Sequence, residues 1–247
     1  MTYCVGLMLK KGLVFMSDTR TNSGVDNIST FQKMFTWEVP GDRSITLMTA
    51  GNLATTQAVV SMLEERSKGP GDRKPGILEA ESMFQVANMV GSLLKEVIAV
   101  HANAGQRADA VFDATIILGG QIGEGSPRLF MIYPEGNFIE ASFDTPFFQI
   151  GETKYGRPIL VRAYDPDMSF EDAIKLLMVS FDSTIKANLS VSLPLDVHAY
   201  EAGSLKNGRV FRIQQDDPYY EAVSSGWGVA LREAFRQLPA FALPKDD

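Results

Sequence analysis

The apolar positions of this chain come in two periods, and the period changes along its length. Residues 3–9 (Tyr3 to Leu9) and 13–17 (Leu13 to Ser17) are short, nearly unbroken apolar runs around Lys11-Gly12, which predicts a hairpin of two buried strands. Residues 18–30 are polar, contain Gly24 and read as a loop. Residues 33–37 and 44–50 predict two further strands across the turn Pro40-Gly41-Asp42. The spacing then becomes helical. Val59, Val60, Met62 and Leu63 fit a helix over 53–65, and 68–76 is a loop rich in Gly and Pro. Met83, Val86, Ala87, Val90, Leu93, Leu94, Val97 and Ile98 recur at three and four, the stripe of a long amphipathic helix. Strands return at 114–118, 129–133, 138–141 and 147–150. A helix starts near Ser169, with Asp172 in a capping-box position, and buries Phe170, Ala173, Ile174, Leu177, Phe181 and Ile185. Strands at 195–200 and 209–213 precede a last helix opened by Asp217-Pro218. Its apolar side carries Val223, Trp227, Leu231, Phe235 and Leu238, and Pro239 ends it.

Strands and helices therefore arrive in blocks rather than singly, which disfavours a doubly wound βαβ sheet. The pattern predicts an α+β fold with two antiparallel sheets stacked face to face between outer helix layers. No break in composition marks a second domain, so residues 1–247 read as one.

Composition narrows the chemistry. A formal net charge of -7 argues against a dedicated nucleic-acid binder, which presents a basic face. One cysteine, Cys4, allows no internal disulfide and fits a reducing, cytoplasmic setting. Two histidines and no Cys/His cluster argue against structural zinc, and no motif calls for a metal or organic cofactor. No stretch reads as a membrane span or a signal peptide.

Two glycine-rich stretches lack phosphate-binding spacing. Gly119-Gly-Gln-Ile-Gly-Glu-Gly125 runs into another strand, so it reads as a hairpin, and Gly69 to Gly76 lacks the Gly-Lys-Ser/Thr ending of a phosphate loop. Ser192, Asp196 and His198 have the residue types of a hydrolytic triad, but on one short strand segment they read as ordinary strand polarity.

The start of the chain is more informative. The first core strand begins at residue 2, where termini usually fray. A residue as small as Thr2 allows removal of Met1, which would free an α-amine beside the threonine hydroxyl. A hydroxyl needs a base, and an α-amine titrating near ~7.7–8.0 can serve. Such a site also needs a cation close to the amine and a carboxylate to hold that cation. Asp18, at the end of the second strand, and Lys33, at the start of the third, are candidates.

Four segments carry a specific resemblance: Met1-Thr-Tyr-Cys-Val-Gly6, Ser17-Asp-Thr-Arg-Thr-Asn-Ser-Gly24, Phe31-Gln-Lys-Met-Phe35 and Thr49-Ala-Gly-Asn-Leu-Ala54. With them the chain resembles a proteasome β-type subunit of the N-terminal nucleophile hydrolase superfamily, and most of all the Anbu, or ancestral β-subunit, group. The resemblance implies a four-layer αββα sandwich and a threonine-type peptidase or amidase. Thr2 would be the nucleophile, its amine the base, Lys33 the cation and Asp18 its anchor. The Gly51 N–H would be the oxyanion donor. Thr21 and Leu53 would bind the substrate backbone as an added strand, and Thr49 and Leu53 would shape the pocket before the cut. It also implies peptide or unfolded-protein substrates and a homo-oligomeric, ring-like assembly, leaving open any unfoldase partner. Two segments depart from the family pattern. Asn188-Leu-Ser-Val-Ser192 stands in place of Asp-x-x-Ser-Gly, and Gly151-Glu-Thr153 in place of Gly-Ser-Gly. Asn188 and Ser190 are still expected beside the nucleophile. A proteasome-fold scaffold without catalysis is the alternative.

Overall fold

A computed structural model of the chain describes residues 2–22, 28–68, 75–103 and 112–243. Gly24 and most of the 68–76 loop lie outside the described residues. The elements in chain order are β1 (Tyr3–Leu9), β2 (Gly12–Asp18), β3 (Arg20–Asn22), β4 (Ile28–Thr30), β5 (Met34–Val39), β6 (Arg43–Gly51), α1 (Leu53–Ser67) and α2 (Met83–Asn103). They continue with β7 (Ala114–Ile122), β8 (Arg128–Ile132), β9 (Phe138–Glu140), β10 (Phe147–Gly151), α3 (Arg157–Ala163), α4 (Phe170–Ala187), β11 (Leu195–Glu201), β12 (Arg209–Ile213) and α5 (Pro218–Arg236).

Two five-stranded antiparallel sheets form, in the orders β10-β1-β2-β11-β12 and β5-β6-β7-β8-β9. The side-chain alternation of β1 and β6 explains the layers. Tyr3, Val5, Leu7 and Leu9 pack with Leu160, Leu177 and Phe181 of α3 and α4. Cys4 of β1 faces the other way, into an inter-sheet core with Phe15, Met48, Ala50, Ile117 and Leu129. On β6, Ile45 and Leu47 pack with Val59, Val86, Val90 and Leu94 of α1 and α2. Each central strand is thus buried on both faces, which is why its sequence is an apolar run rather than an alternation. The result is the expected four-layer α/β/β/α sandwich.

Caps formed where the sequence placed them. Ser169 accepts the Asp172 N–H at 2.9 Å, and Asp217 accepts the Tyr220 N–H at 2.8 Å. The glycine-rich stretch after 118 belongs to β7 as far as Ile122 and then turns back into β8, a hairpin as read.

Three features differ from the sequence reading. The polar segment near 18–30 contributes the small hairpin of β3 and β4, joined through Thr21 opposite Ser29. A seven-residue helix, α3, follows Gly156 with Pro158 in its first turn. Residues 83–102 of α2 are also long and apolar enough to pass for a membrane span, but the stripe of this helix is buried against β7 and β8.

Candidate active site

The first residues are held by the strands and helices around them. Tyr3 pairs with Gly151 on β10, while Cys4 pairs with Ser17 on β2. The Tyr3 hydroxyl is 2.7 Å from Ser180 Oγ of α4 and accepts from Gln149 Nε2 at 2.7 Å. Burial pushes this phenol up to about 12, so it stays neutral and acts as a peg between β1, β10 and α4. Thr2, immediately before it, is fixed with only 9% of its surface exposed.

Asp18 ends β2 on the same edge. Its Oδ1 accepts the Tyr3 N–H at 2.9 Å and the Lys33 ammonium at 2.7 Å. Lys33, just before β5, also donates to the Arg20 carbonyl at 2.6 Å. It is not a surface lysine with its head in water, since it is 4% exposed and Asp18 is 0% exposed. Burial raises the Asp18 carboxyl from its ordinary value, and the Lys33 charge and the Tyr3 amide pull it back. The pair thus ties the cation to the strand that carries Thr2.

β6 supplies the opposite wall. The Thr49 N–H donates to the Lys33 carbonyl at 3.0 Å, which locks the two segments together. Gly51 closes β6 with φ +116, where an ideal Cβ would lie 2.4 Å from the Asp113 carbonyl oxygen. Only glycine fits there without strain. Asn52 then caps α1, accepting the Thr55 N–H at 3.1 Å, and this turn sets Leu53 at the helix start.

Thr2, Thr21, Lys33, Thr49, Gly51 and Leu53 line one cavity of about 520 Å³. Gln32, Phe35, Thr56 and Gln57 line it too and were not chosen as site residues from sequence, and so does Gly151, from the segment that departs from the family pattern. Gln32 and Phe35 flank Lys33, and Thr56 and Gln57 lie about one helical turn beyond Leu53, so each was one step from a residue already chosen.

Asn188 and Ser190 form a separate cluster. Asn188 Nδ2 donates to Glu152 Oε2 at 2.9 Å, and the Ser190 N–H donates to Asn188 Oδ1 at 2.9 Å. The Glu152 N–H in turn donates to the Thr2 carbonyl at 2.7 Å, which joins this cluster to the backbone of Thr2.

Other reactive side chains are committed elsewhere. Cys4 is fully buried, and burial raises its thiol well above the usual value, so it carries little thiolate. Asp196 holds Arg212 through two hydrogen bonds, and His198 Nδ1 is 2.7 Å from Thr46 Oγ1 of the facing sheet. His198 is therefore a buried link between the sheets rather than ordinary strand polarity, and it forms no relay with Ser192. Among the described residues, no group of three His, Cys, Asp or Glu side chains could hold a metal ion.

Comparison with known proteins agrees with this fold. The proteasome subunit family matches residues 2–192. A proteasome subunit beta 2 from Pyrobaculum calidifontis is 27% identical over 74% of this chain and 80% of its own length. Among solved structures, Anbu from Yersinia bercovieri is 44% identical with a TM-score of 0.90, covering 98% of this chain and 100% of its own. The helical assembly of the Anbu complex from Pseudomonas aeruginosa is 42% identical with a TM-score of 0.92, covering 98% of each chain. The chain belongs to the proteasome subunit family and, within it, to the Anbu group of ancestral β-subunits.

Proposed function

We propose that the chain is a threonine-type peptidase or amidase that uses Thr2 as its nucleophile once the residue before it has been removed. The observation that carries this reading is the Asp18–Lys33 pair. It is buried, bonded to the Tyr3 amide, and set at the wall of the cavity that Thr2 lines. A buried ion pair is a costly structural device, since its desolvation rivals its attraction. Beside a nucleophile it has a chemical use.

The Thr2 amine takes the Oγ proton as Oγ bonds to the scissile carbonyl carbon, and the carbonyl π pair moves to oxygen. The Gly51 N–H is the donor we assign to that oxyanion. The oxyanion collapses, the C–N bond breaks, and the ammonium returns its proton to the leaving amine. An ester on Thr2 remains. Water then attacks the ester with the amine again as base, and Thr2 is regenerated. Lys33 lowers the proton affinity of Oγ and of the amine, and Asp18 holds Lys33 in place. An extended peptide would lie between Thr21 and the end of β6, with Thr49 and Leu53 shaping the pocket for the residue before the cut.

The chain would work as a homo-oligomer. The helical assembly of a relative supports this, as do Leu231, Phe235, Leu238, Phe241 and Leu243, which are exposed along α5 and the segment after it. Two features of the sequence favour a second reading, a scaffold subunit without catalysis. Gly151-Glu-Thr153 and Asn188-Leu-Ser-Val-Ser192 depart from the family pattern, and while Met1 is attached the Thr2 amine is a peptide nitrogen.

Intact mass before and after treatment with an epoxyketone peptide tests both readings. The peptidase reading expects loss of Met1 and one adduct per chain, absent in Thr2→Ala. Retained Met1 with no adduct would favour the scaffold.

A further inference from the structure

A second charged residue, besides the Asp18–Lys33 pair, touches Thr2 through its backbone. Just past the pairing of Tyr3 with Gly151, the Glu152 N–H donates to the Thr2 carbonyl at 2.7 Å. Gly151 has φ +83, and a Cβ there would lie 1.9 Å from the Thr2 carbonyl oxygen. The main chain at 151–152 is therefore pressed against Thr2, and the Glu152 side chain starts beside it. Its carboxylate is anchored by the hydrogen bond from Asn188, the residue that caps α4 and accepts the Ser190 N–H. A carboxylate tied to the end of an 18-residue helix keeps its place while the chemistry runs.

The reaction needs such a charge. When the amine takes the Oγ proton it becomes an ammonium in a site that already holds the Lys33 ammonium. Asp18 is engaged by Lys33 and by the Tyr3 amide. The oxyanion formed in the same step sits at the Gly51 N–H, and one more carboxylate would steady the ammonium on its other side. The inference rests on the reading of Thr2 as nucleophile and adds a residue to it. We propose that Glu152, held by Asn188, is a positioning residue of this site: its carboxylate orients the freed Thr2 amine and stabilises the ammonium that forms when the amine takes the Oγ proton. Ser190 contributes by fixing Asn188.

The test uses full-length protein processed so that Thr2 is the first residue, with two readouts. Competitive acetylation of the α-amine by acetic anhydride across pH gives the amine's titration without any turnover. The rate of epoxyketone adduct formation gives its competence as a base. Glu152→Gln keeps the shape and the hydrogen bond from Asn188 but removes the charge. It should move the amine titration down by about one pH unit and slow adduct formation roughly tenfold, the scale expected for losing a nearby opposite charge. The pair Glu152→Gln with Asn188→Asp moves the charge across the same hydrogen bond. It should bring both readouts back to within about threefold of the parent, a rescue that a purely structural role would not produce.

An amine titration unchanged by Glu152→Gln overturns the proposal. So does a double variant as impaired as the single one. A parent chain whose amine shifts with Glu152→Gln but which never forms an adduct upholds the electrostatic link and refutes the peptidase reading, so the two failures are distinguishable.

Discussion

Replacing Lys33 by methionine separates what the buried pair does for the fold from what it does for chemistry. The side chains of Lys33 and Asp18 are 5% and 0% exposed. Methionine keeps the length and the apolar stem but removes the donors to Asp18 and to the Arg20 carbonyl. The Asp18 carboxylate is left buried with the Tyr3 amide as its donor, a situation that costs about 3–5 kcal/mol. Against a total of about 5–15 kcal/mol for a domain, that is a large fraction of the stability. At about 2–4 °C per kcal/mol for a chain of this size, the melt should fall by roughly 10 °C. Adding Asp18→Asn removes the orphaned charge while keeping an acceptor for the Tyr3 amide, so the double variant should regain at least half of the loss. Activity should not return with it. Without the ammonium next to Thr2, epoxyketone modification should stay slowed by about 10²-fold or more, the usual scale for a disabled proton-transfer group. Urea unfolding and intact mass measure the two effects on the same samples. A Lys33→Met chain that loses less than about 1 kcal/mol would refute the stability argument. A double variant that reacts at the parent rate would refute the chemical one.

Three further outcomes can be checked independently. Gly51→Ala puts a Cβ 2.4 Å from the Asp113 carbonyl at φ +116, so it should cost about 1–3 kcal/mol in urea unfolding and depress epoxyketone modification with it; an unchanged unfolding midpoint would mean that the backbone there relaxes freely. His198, buried against Phe15 and bonded to Thr46, has its ionisation lowered from 6.5 to about 4 by burial. Its folded form binds fewer protons than its unfolded form between these values, so its contribution of about 3 kcal/mol is present above pH 6.5 and lost as pH falls towards 4. Unfolding midpoints at pH 7 and pH 4.5 should converge in His198→Gln relative to the parent, and an unaltered pH slope would remove His198 from the account. Phe235 and Leu238 are 74% and 64% exposed. Changing both to serine should lower the assembled mass seen by light scattering while leaving the thermal melt of the subunit within a few degrees, and an unchanged mass would place the contact elsewhere.

What the sequence could and could not reveal follows from the range of each interaction. Buried strands and capped helices are local: an apolar run, or a Ser169 with Asp172 three residues on, is readable in a short window. The residues around Lys33 and Gly51 were readable because each segment is short and distinctive. The weakly apolar elements were not. β3 and β4 are polar because their pairing is only three residues long. α3 is only seven residues long, too short to build a period. On α5, Val223 and Trp227 are half-buried as their spacing implied, but Leu231, Phe235 and Leu238 continue the same stripe into solvent. Periodicity identifies an apolar face without saying whether the same chain covers it. The contact that matters most for the site is also the least local. β10 lies beside β1 only because the chain crosses the second sheet and returns, which brings residue 152 against residue 2. No window of sequence contains both, so Glu152 looked like an interruption of a glycine motif. Once β1 and β10 are paired, the interruption becomes a carboxylate-bearing residue whose backbone is bonded to Thr2. Asn188, which had looked like a missing charge, becomes the group that holds it.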